Sequence, residues 1–310
     1  MTTPKSLNLD LTRSQILRGD CIEVIKRLPD ASVDAVVTDP PYGYLKHKLD
    51  ADFDEDALFS EFDRVLKPNG AIVMFGRGVP FFRRCVKLDA LGFVFKESVC
   101  WDKKDAGSSP TAKLLRAHED AVIFGRKGFS LRKRHVPYAE IRASRENGRE
   151  KWERDIAQLS SALKHPEKCK EAVDFLRNGR SVPIRKRNVG KRNVGKKGVT
   201  HSANLRETDR TLGLLNSITT GFVERDIIRV SRDAHAEHGT QKPVRLMERL
   251  VSIVSDEGAV VLDPFAGSGS TVVACAQTGS IGIGIEVVPE YAEIAERRLK
   301  EAQEKGACRG

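Results

Sequence analysis

Two short segments combine residue types that can do chemistry. The first is Thr38-Asp39-Pro40-Pro41-Tyr42-Gly43, which directly follows the apolar run 33–38. Two consecutive prolines hold the backbone extended and remove two amide donors, so nearby carbonyls stay free to accept hydrogen bonds. A rigid polar lip results, offering the Asp39 carboxylate, the Pro40 carbonyl and the face of Tyr42. Asp-Pro-Pro on its own also serves as an ordinary turn. The second segment, Val260-Val261-Leu262-Asp263-Pro264-Phe265-Ala266-Gly267-Ser268-Gly269-Ser270-Thr271, is an apolar strand that runs into a glycine-rich turn opening a helix. Glycines let backbone approach a ligand closely, and ligands of open α/β sheets sit at the carboxyl ends of strands. The G-x-G-x-x-G spacing of dinucleotide sites is absent, because Val272 stands three positions after Gly269 and the acid-proline pair Asp263-Pro264 precedes the glycines. A dehydrogenase is therefore disfavoured. Glu286 ends the next apolar run, where a carboxylate can accept hydrogen bonds from both hydroxyls of a ribose.

The elements that must position these residues follow from apolar periodicity. Strands are predicted at 33–38, 71–75, 93–101, 121–124, 260–262 and 281–285, and helices at 57–66, 81–91, 244–255, 271–277 and 289–301. Lys67-Pro68-Asn69-Gly70 reads as the turn between a helix and a strand. This alternation is the pattern of β-α units stacked into a mostly parallel sheet. It fails over 128–234, where charges are dense and apolar runs short. Two parts of one α/β sheet, 1–127 and 235–310, are thus expected to flank an insertion at 128–234.

The formal net charge is +10. Its excess is local, since residues 126–237 carry about +13 and the remainder about −3. That segment contains the tandem repeat Arg187-Asn188-Val189-Gly190-Lys191 and Arg192-Asn193-Val194-Gly195-Lys196, within a stretch, 180–200, that has no acidic residue. Such a run is either a solvated loop or a grip on a polyanion backbone, in which Arg187, Lys191, Arg192 and Lys196 would be the contacts. The six cysteines form no C-x-x-C pair, so neither a zinc site nor a disulfide framework is indicated. No apolar stretch approaches the roughly 20 residues of a membrane span, and the start of the chain lacks the apolar core of a signal peptide. A soluble, cytoplasmic protein of a prokaryotic or phage-infected cell is expected.

Together, Asp39-Pro40-Pro41-Tyr42 and Phe265-Ala266-Gly267-Ser268-Gly269 resemble the D-P-P-Y and F-x-G-x-G signatures of the amino-methylating DNA methyltransferases. With the acid motif first and the glycine-rich motif last, the order resembles the circularly permuted β group of that family. Gly19-Asp20-Cys21 is similar to the family's motif whose acid approaches the cofactor adenine. Gly239-Thr240-Gln241-Lys242-Pro243 resembles the segment leading the helix over the methionine end. The resemblance covers roughly 16–125 and 238–300. It implies a Rossmann-like α/β sheet, S-adenosylmethionine as cofactor, and double-stranded DNA as partner, with 128–234 as the target-recognition region. Asp39, Pro40, Pro41 and Tyr42 would be catalytic. Asp20, Cys21, Gln241, Lys242, Pro243, Asp263, Phe265, Ala266, Gly267, Ser268, Gly269, Ser270 and Glu286 would hold the cofactor. A homodimer and a cognate restriction endonuclease stay open.

The exocyclic amine of adenine is a poor nucleophile, and inside a duplex it cannot reach a sulfonium methyl. The base must leave the stack. Tyr42 would stack on it while Asp39 and the Pro40 carbonyl accept the two amine hydrogens, a mechanism that requires no metal. Methylation of cytosine N4 uses the same geometry, although family members acting on cytosine more often carry Ser in place of Asp39. An RNA substrate and a catalytically inactive nucleic-acid-binding relic are further alternatives. His118 reads as a structural hydrogen-bonder, Trp101 as core, and His238 as either a loop residue or a wall of the cofactor pocket.

Overall fold

The computed structural model describes residues 10–42, 53–104, 117–144, 147–164, 207–233 and 241–307. The chain divides into two compact units, Met1–Arg134 with Arg225–Gly310, and His135–Glu224.

The first unit is built on strands β1 (Gln15–Arg18), β2 (Val33–Thr38), β3 (Leu66–Gly76), β4 (Val94–Asp102), β5 (His118–Gly125), β8 (Ile227–Arg229), β9 (Val260–Asp263) and β10 (Ile281–Glu286). They form one sheet in the order β1-β10-β9-β2-β3-β5-β4-β8. The β1, β10, β9, β2 and β3 strands run parallel to one another, whereas β5 is antiparallel to both β3 and β4. Parallel strands are covered on both faces and so read as continuous apolar runs. In β2, Val33, Ala35, Val36 and Val37 are all fully buried. Helices α1 (Cys21–Ile25), α2 (Glu55–Val65) and α3 (Gly78–Ala90) pack Ile25, Phe59, Phe62 and Leu88 into the core of one face. The other face is covered by α7 (Val244–Val254), through Leu246, Leu250 and Val251, and by α8 (Ser270–Thr278), through Ala274 and Cys275. The last helix, α9 (Pro289–Ala307), follows β10.

Two expectations need correction here. Lys67-Pro68-Asn69-Gly70 is not a turn between elements but part of β3, where the ladder with β2 skips from the Val33–Leu66 pair to the Ala35–Ala71 pair. Tertiary partners hold this bulge: the Lys67 ammonium lies 2.8 Å from Asp34, and the Gly70 carbonyl accepts from the Arg126 amide at 3.0 Å. The insertion is also narrower than 128–234. Phe129 belongs to the core of the sheet unit, and the Arg132 guanidinium donates to the Val254 carbonyl at 2.8 Å, completing the end of α7. Within 225–233, β8 pairs with β4.

The second unit contains α4 (Tyr138–Ala143), α5 (Gly148–Lys164), α6 (Glu207–Thr220) and the paired strands β6 (His135–Val136) and β7 (Phe222–Val223). Its centre is aromatic and basic. The Tyr138 ring stacks on Phe222 at 5.9 Å and meets Trp152 edge-on at 5.5 Å. Arg142 lies 4.9 Å from the Tyr138 centroid and pairs with Asp155 at 2.7 Å. The repeat residues Arg187, Lys191, Arg192 and Lys196, and His238 with Gly239 and Thr240, lie outside the described residues. Among the described residues no helix is long and apolar enough to cross a membrane.

Candidate active site

The parallel strands β1, β10, β9 and β2 are adjacent, so their carboxyl ends share one sheet edge. Asp20 follows β1, Glu286 ends β10, the glycine-rich loop follows β9, and Asp39 follows β2. Because β5 runs antiparallel, its start lies at that same edge, which brings Glu119 there as well.

In the glycine-rich loop, Gly267 and Gly269 adopt φ of 52° and 80°, the left-handed region that favours glycine. A Cβ at Gly267 would meet nothing within 4 Å, whereas one at Gly269 would come within 2.8 Å of the Ala295 side chain on α9. Gly269 thus serves close packing, and Gly267 leaves open space for a ligand. The buried Glu286 carboxylate accepts from the Gly267 amide at 2.7 Å through Oε2 and from the Val288 amide at 2.9 Å through Oε1. A carboxylate has about four acceptor positions, so lone pairs remain for a ligand. From α9 the Arg298 guanidinium donates to the Ser268 carbonyl at 2.6 Å and to its hydroxyl at 3.0 Å, and the Ser268 hydroxyl donates to Gln241 at 3.0 Å. Arg298 carried no sequence signal, being one charge among many on an amphipathic helix. Phe265 tilts against Phe53 with centroids 5.1 Å apart. Asp20 caps α1 by accepting from the Ile22 and Glu23 amides at 3.0 and 3.1 Å, and burial pushes the neighbouring Cys21 thiol up to about 11.

Asp263 ties the two segments together. Its buried carboxylate accepts from Thr38 at 2.9 Å, from Thr271 at 2.5 Å and from the Phe265 amide at 3.2 Å. Thr38 immediately precedes Asp39, so the acid lip and the glycine-rich loop share one anchor. Burial pushes the Asp263 carboxyl up to about 6, outweighing the hydrogen bonds that favour its anion. A raised carboxyl stabilises the fold most at low pH, and that contribution is lost as pH rises through about 6. Asp263→Asn, which can still accept and donate among the hydroxyls, should flatten the pH dependence of the denaturant midpoint between about 4 and 6. A midpoint profile parallel to the wild type would contradict this placement.

Around Asp39 the charges are paired. Tyr42 donates its hydroxyl to Asp39 Oδ1 at 2.7 Å, and the Lys242 ammonium contacts Asp39 Oδ2. Lys242 was expected, with Gln241 and Pro243, to hold the cofactor; its buried ammonium lies between Asp39 and Glu119, 3.2 Å from Glu119 Oε2. Lys103 holds the other Glu119 oxygen and stands 5.3 Å over the Trp101 ring. Burial pushes the Glu119 carboxyl up, but the Lys242 and Lys103 ammoniums outweigh it and hold the group below the usual carboxylate range. Burial pulls Lys242 down, and Asp39 and Glu119 outweigh that too, holding it above the ordinary lysine value. Trp101 is core, its Nε1 donating to the Val230 carbonyl at 2.8 Å, while the His118 side chain is half exposed and lies 3.9 Å from Asp120. Glu119 and Lys103 were not assigned from the sequence, because Glu119, near the start of β5, and Lys103, just after β4, have no neighbouring motif.

The N6/N4 DNA methylase family model matches residues 33–297, a span that includes Asp39, Lys242 and the glycine-rich loop. The chain belongs to the N6/N4 DNA methylase family. This DNA methyltransferase is 26% identical over 296 residues to the type II methyltransferase M.HpaI of Haemophilus parainfluenzae, covering 92% of this chain and 74% of the relative. Solved structures share its fold. The M1.HpyAVI complex with SAM matches at a TM-score of 0.52 and 22% identity, over 92% of the methylase and 99% of that chain. PvuII DNA methyltransferase, cytosine-N4-specific, matches at a TM-score of 0.52 and 16% identity, over 95% and 93% of the two chains.

Proposed function

We propose that the methylase transfers a methyl group from S-adenosylmethionine to N6 of an adenine flipped out of double-stranded DNA. The observation that carries this reading is the placement of Asp39, Pro40 and Tyr42 at the sheet edge that also holds the glycine-rich loop and Glu286. An adenosine-bearing cofactor fits this edge, since Gly267 leaves open space and Glu286 keeps spare acceptor capacity for ribose hydroxyls. Asp20, Cys21, Phe265, Ala266, Ser268, Ser270, Gln241 and Pro243 complete the cofactor wall, with Asp263 anchoring it from beneath. When bound, S-adenosylmethionine supplies an electrophilic methyl group. Asp39 Oδ1 and the Pro40 carbonyl accept the two amine hydrogens, which draws the nitrogen lone pair out of the ring and towards attack. Tyr42 gives up its bond to Asp39 and stacks on the base. Asp at position 39, where family members acting on cytosine more often carry Ser, favours adenine; the fold shared with the cytosine-specific PvuII enzyme keeps N4 of cytosine as the second reading. The order of the motifs, with β9 and β10 lying between β1 and β2, supports the permuted form of the family.

Sequencing genomic DNA from a methylation-free host that expresses the chain tests base and target together. N6-methyladenine at one recurrent sequence is expected, and an unmodified genome would contradict the reading.

The inserted region, expected over 128–234 and narrowed to 135–224, is proposed to grip and read the DNA, because most of the positive excess of the chain lies there. Replacing Arg187, Lys191, Arg192 and Lys196 together by Gln should weaken binding to all sequences alike and reduce the salt slope by up to about 0.9 per lost phosphate contact. The methylated site should stay the same. Unchanged affinity and slope would show a solvated loop.

A further inference from the structure

The charges behind Asp39 form an alternating row drawn from four distant parts of the chain. Asp39 follows β2, Lys242 precedes α7, Glu119 lies near the start of β5, and Lys103 follows β4. Lys242 is 8% exposed and its ammonium stands 5.0 Å over the Phe75 ring, so water screens it little and its charge is strongly felt by both carboxylates. Asp39 is therefore held at both oxygens: Oδ2 by Lys242, and Oδ1 by the Tyr42 hydroxyl at 2.7 Å. The two contacts are not equivalent. The hydroxyl is a neutral donor on a half-buried residue of the lip, and an incoming amine can take its place; the buried ammonium cannot be displaced without leaving charges unpaired. Lys242 thus selects which Asp39 oxygen is offered to the amine.

Removing the ammonium would leave Asp39 and Glu119 as neighbouring carboxylates, with the buried Asp263 a third acid close to Asp39. Like charges so placed repel one another, and Asp39 would no longer be held with Oδ1 offered to the amine. Glu119 works in the opposite sense. It draws Lys242 away from Asp39, and Lys103 limits how strongly it does so. We propose that Lys242 is a positioning residue that fixes Asp39 by Oδ2 and so presents Oδ1 to the amine, with Glu119, restrained by Lys103, setting how much of the Lys242 charge Asp39 feels. This rests on the reading of Asp39 as the acceptor for an exocyclic amine. It assigns Lys242 to the acid lip and not to cofactor binding.

The test uses the full chain with duplex DNA and S-adenosylmethionine, comparing wild type with Lys242→Met, Lys242→Arg and Glu119→Gln. Single-turnover methylation is followed against pH at saturating cofactor, and cofactor affinity is measured separately by calorimetry. Lys242→Met should lower the rate near neutral pH on the order of 100-fold, the scale on which one preorganised electrostatic contact acts. Its acid limb should move to higher pH by about one unit or more, and cofactor affinity should stay within about threefold of wild type. Glu119→Gln should move the acid limb the other way, to lower pH, since it removes a negative charge near Asp39. Lys242→Arg, which keeps the charge, should return the acid limb to near the wild-type position. Opposite shifts cannot come from loosened packing, and Glu119→Gln with Lys242→Arg keeps the test decisive if the methionine variant does not fold. An unmoved acid limb in all three variants, or a Lys242→Met enzyme whose defect lies wholly in cofactor affinity, would overturn the proposal while leaving amine methylation by wild type intact. A wild-type enzyme that methylates no exocyclic amine would overturn the reading beneath it.

Discussion

Asp39→Ala is expected to lower the single-turnover rate of methyl transfer by about a thousandfold or more while cofactor affinity stays close to wild type. Asp39 stands just after β2, its Oδ1 accepting from the Tyr42 hydroxyl, and the glycine-rich loop and Glu286 occupy the neighbouring strand ends. An acceptor that matches charge developing on the amine nitrogen is worth most in the transition state, so its loss falls on the chemical step and not on cofactor binding. Alanine also leaves the Lys242 ammonium with Glu119 alone, which costs stability. Asp39→Asn keeps the shape and one acceptor oxygen, and it should retain more folded protein while remaining strongly impaired. Rapid-quench measurements with labelled cofactor read the rate, and calorimetry reads the affinity. A near-normal rate for either variant would remove Asp39 from the chemistry.

The second large effect is expected at Glu286. Its carboxylate fixes the Gly267 and Val288 amides at 2.7 and 2.9 Å and retains acceptor capacity towards the space left open at Gly267. Glu286→Ala should weaken S-adenosylmethionine binding by about 1 to 3 kcal/mol, the range for leaving buried hydrogen-bonding groups without partners. Glu286→Gln should fall between the two, because its single carbonyl oxygen can serve either the loop or the ligand. At saturating cofactor the methylation rate of both should approach wild type. Calorimetry showing unchanged affinity for the alanine variant would move the ribose-binding acid elsewhere.

Much of the sheet unit was legible because parallel strands are buried on both faces. The run Val33-Asp34-Ala35-Val36-Val37-Thr38, and likewise the segments that became β9 and β10, leave little alternative to a strand ending in a functional loop. The acid lip and the glycine-rich turn were legible for the same reason, since each directly follows such a run. What escaped sequence reasoning depends on distant partners. Lys67-Pro68-Asn69-Gly70 carries local turn chemistry, yet pairing with Asp34 and Arg126 keeps it in β3 as a bulge. The helices α4 and α5 were hidden by charge density, which masks a narrow apolar face, whereas α6 carries charge only in its first turn and was lost among turn and β-branched residues. Arg132 and Arg134 looked like part of a basic insertion but spend their guanidiniums on the end of α7. Lys242 and Asp39 stand 203 residues apart, and no local pattern announces their ion pair.

The amine acted on is proposed to be N6 of adenine in DNA. Incubating the full chain with duplex DNA and S-adenosylmethionine labelled in its methyl group, then digesting the DNA to nucleosides and separating them by mass, measures it directly. Label in N6-methyldeoxyadenosine, absent when Asp39→Ala replaces wild type, is the expected result; label in N4-methyldeoxycytidine, or in no nucleoside at all, would contradict it.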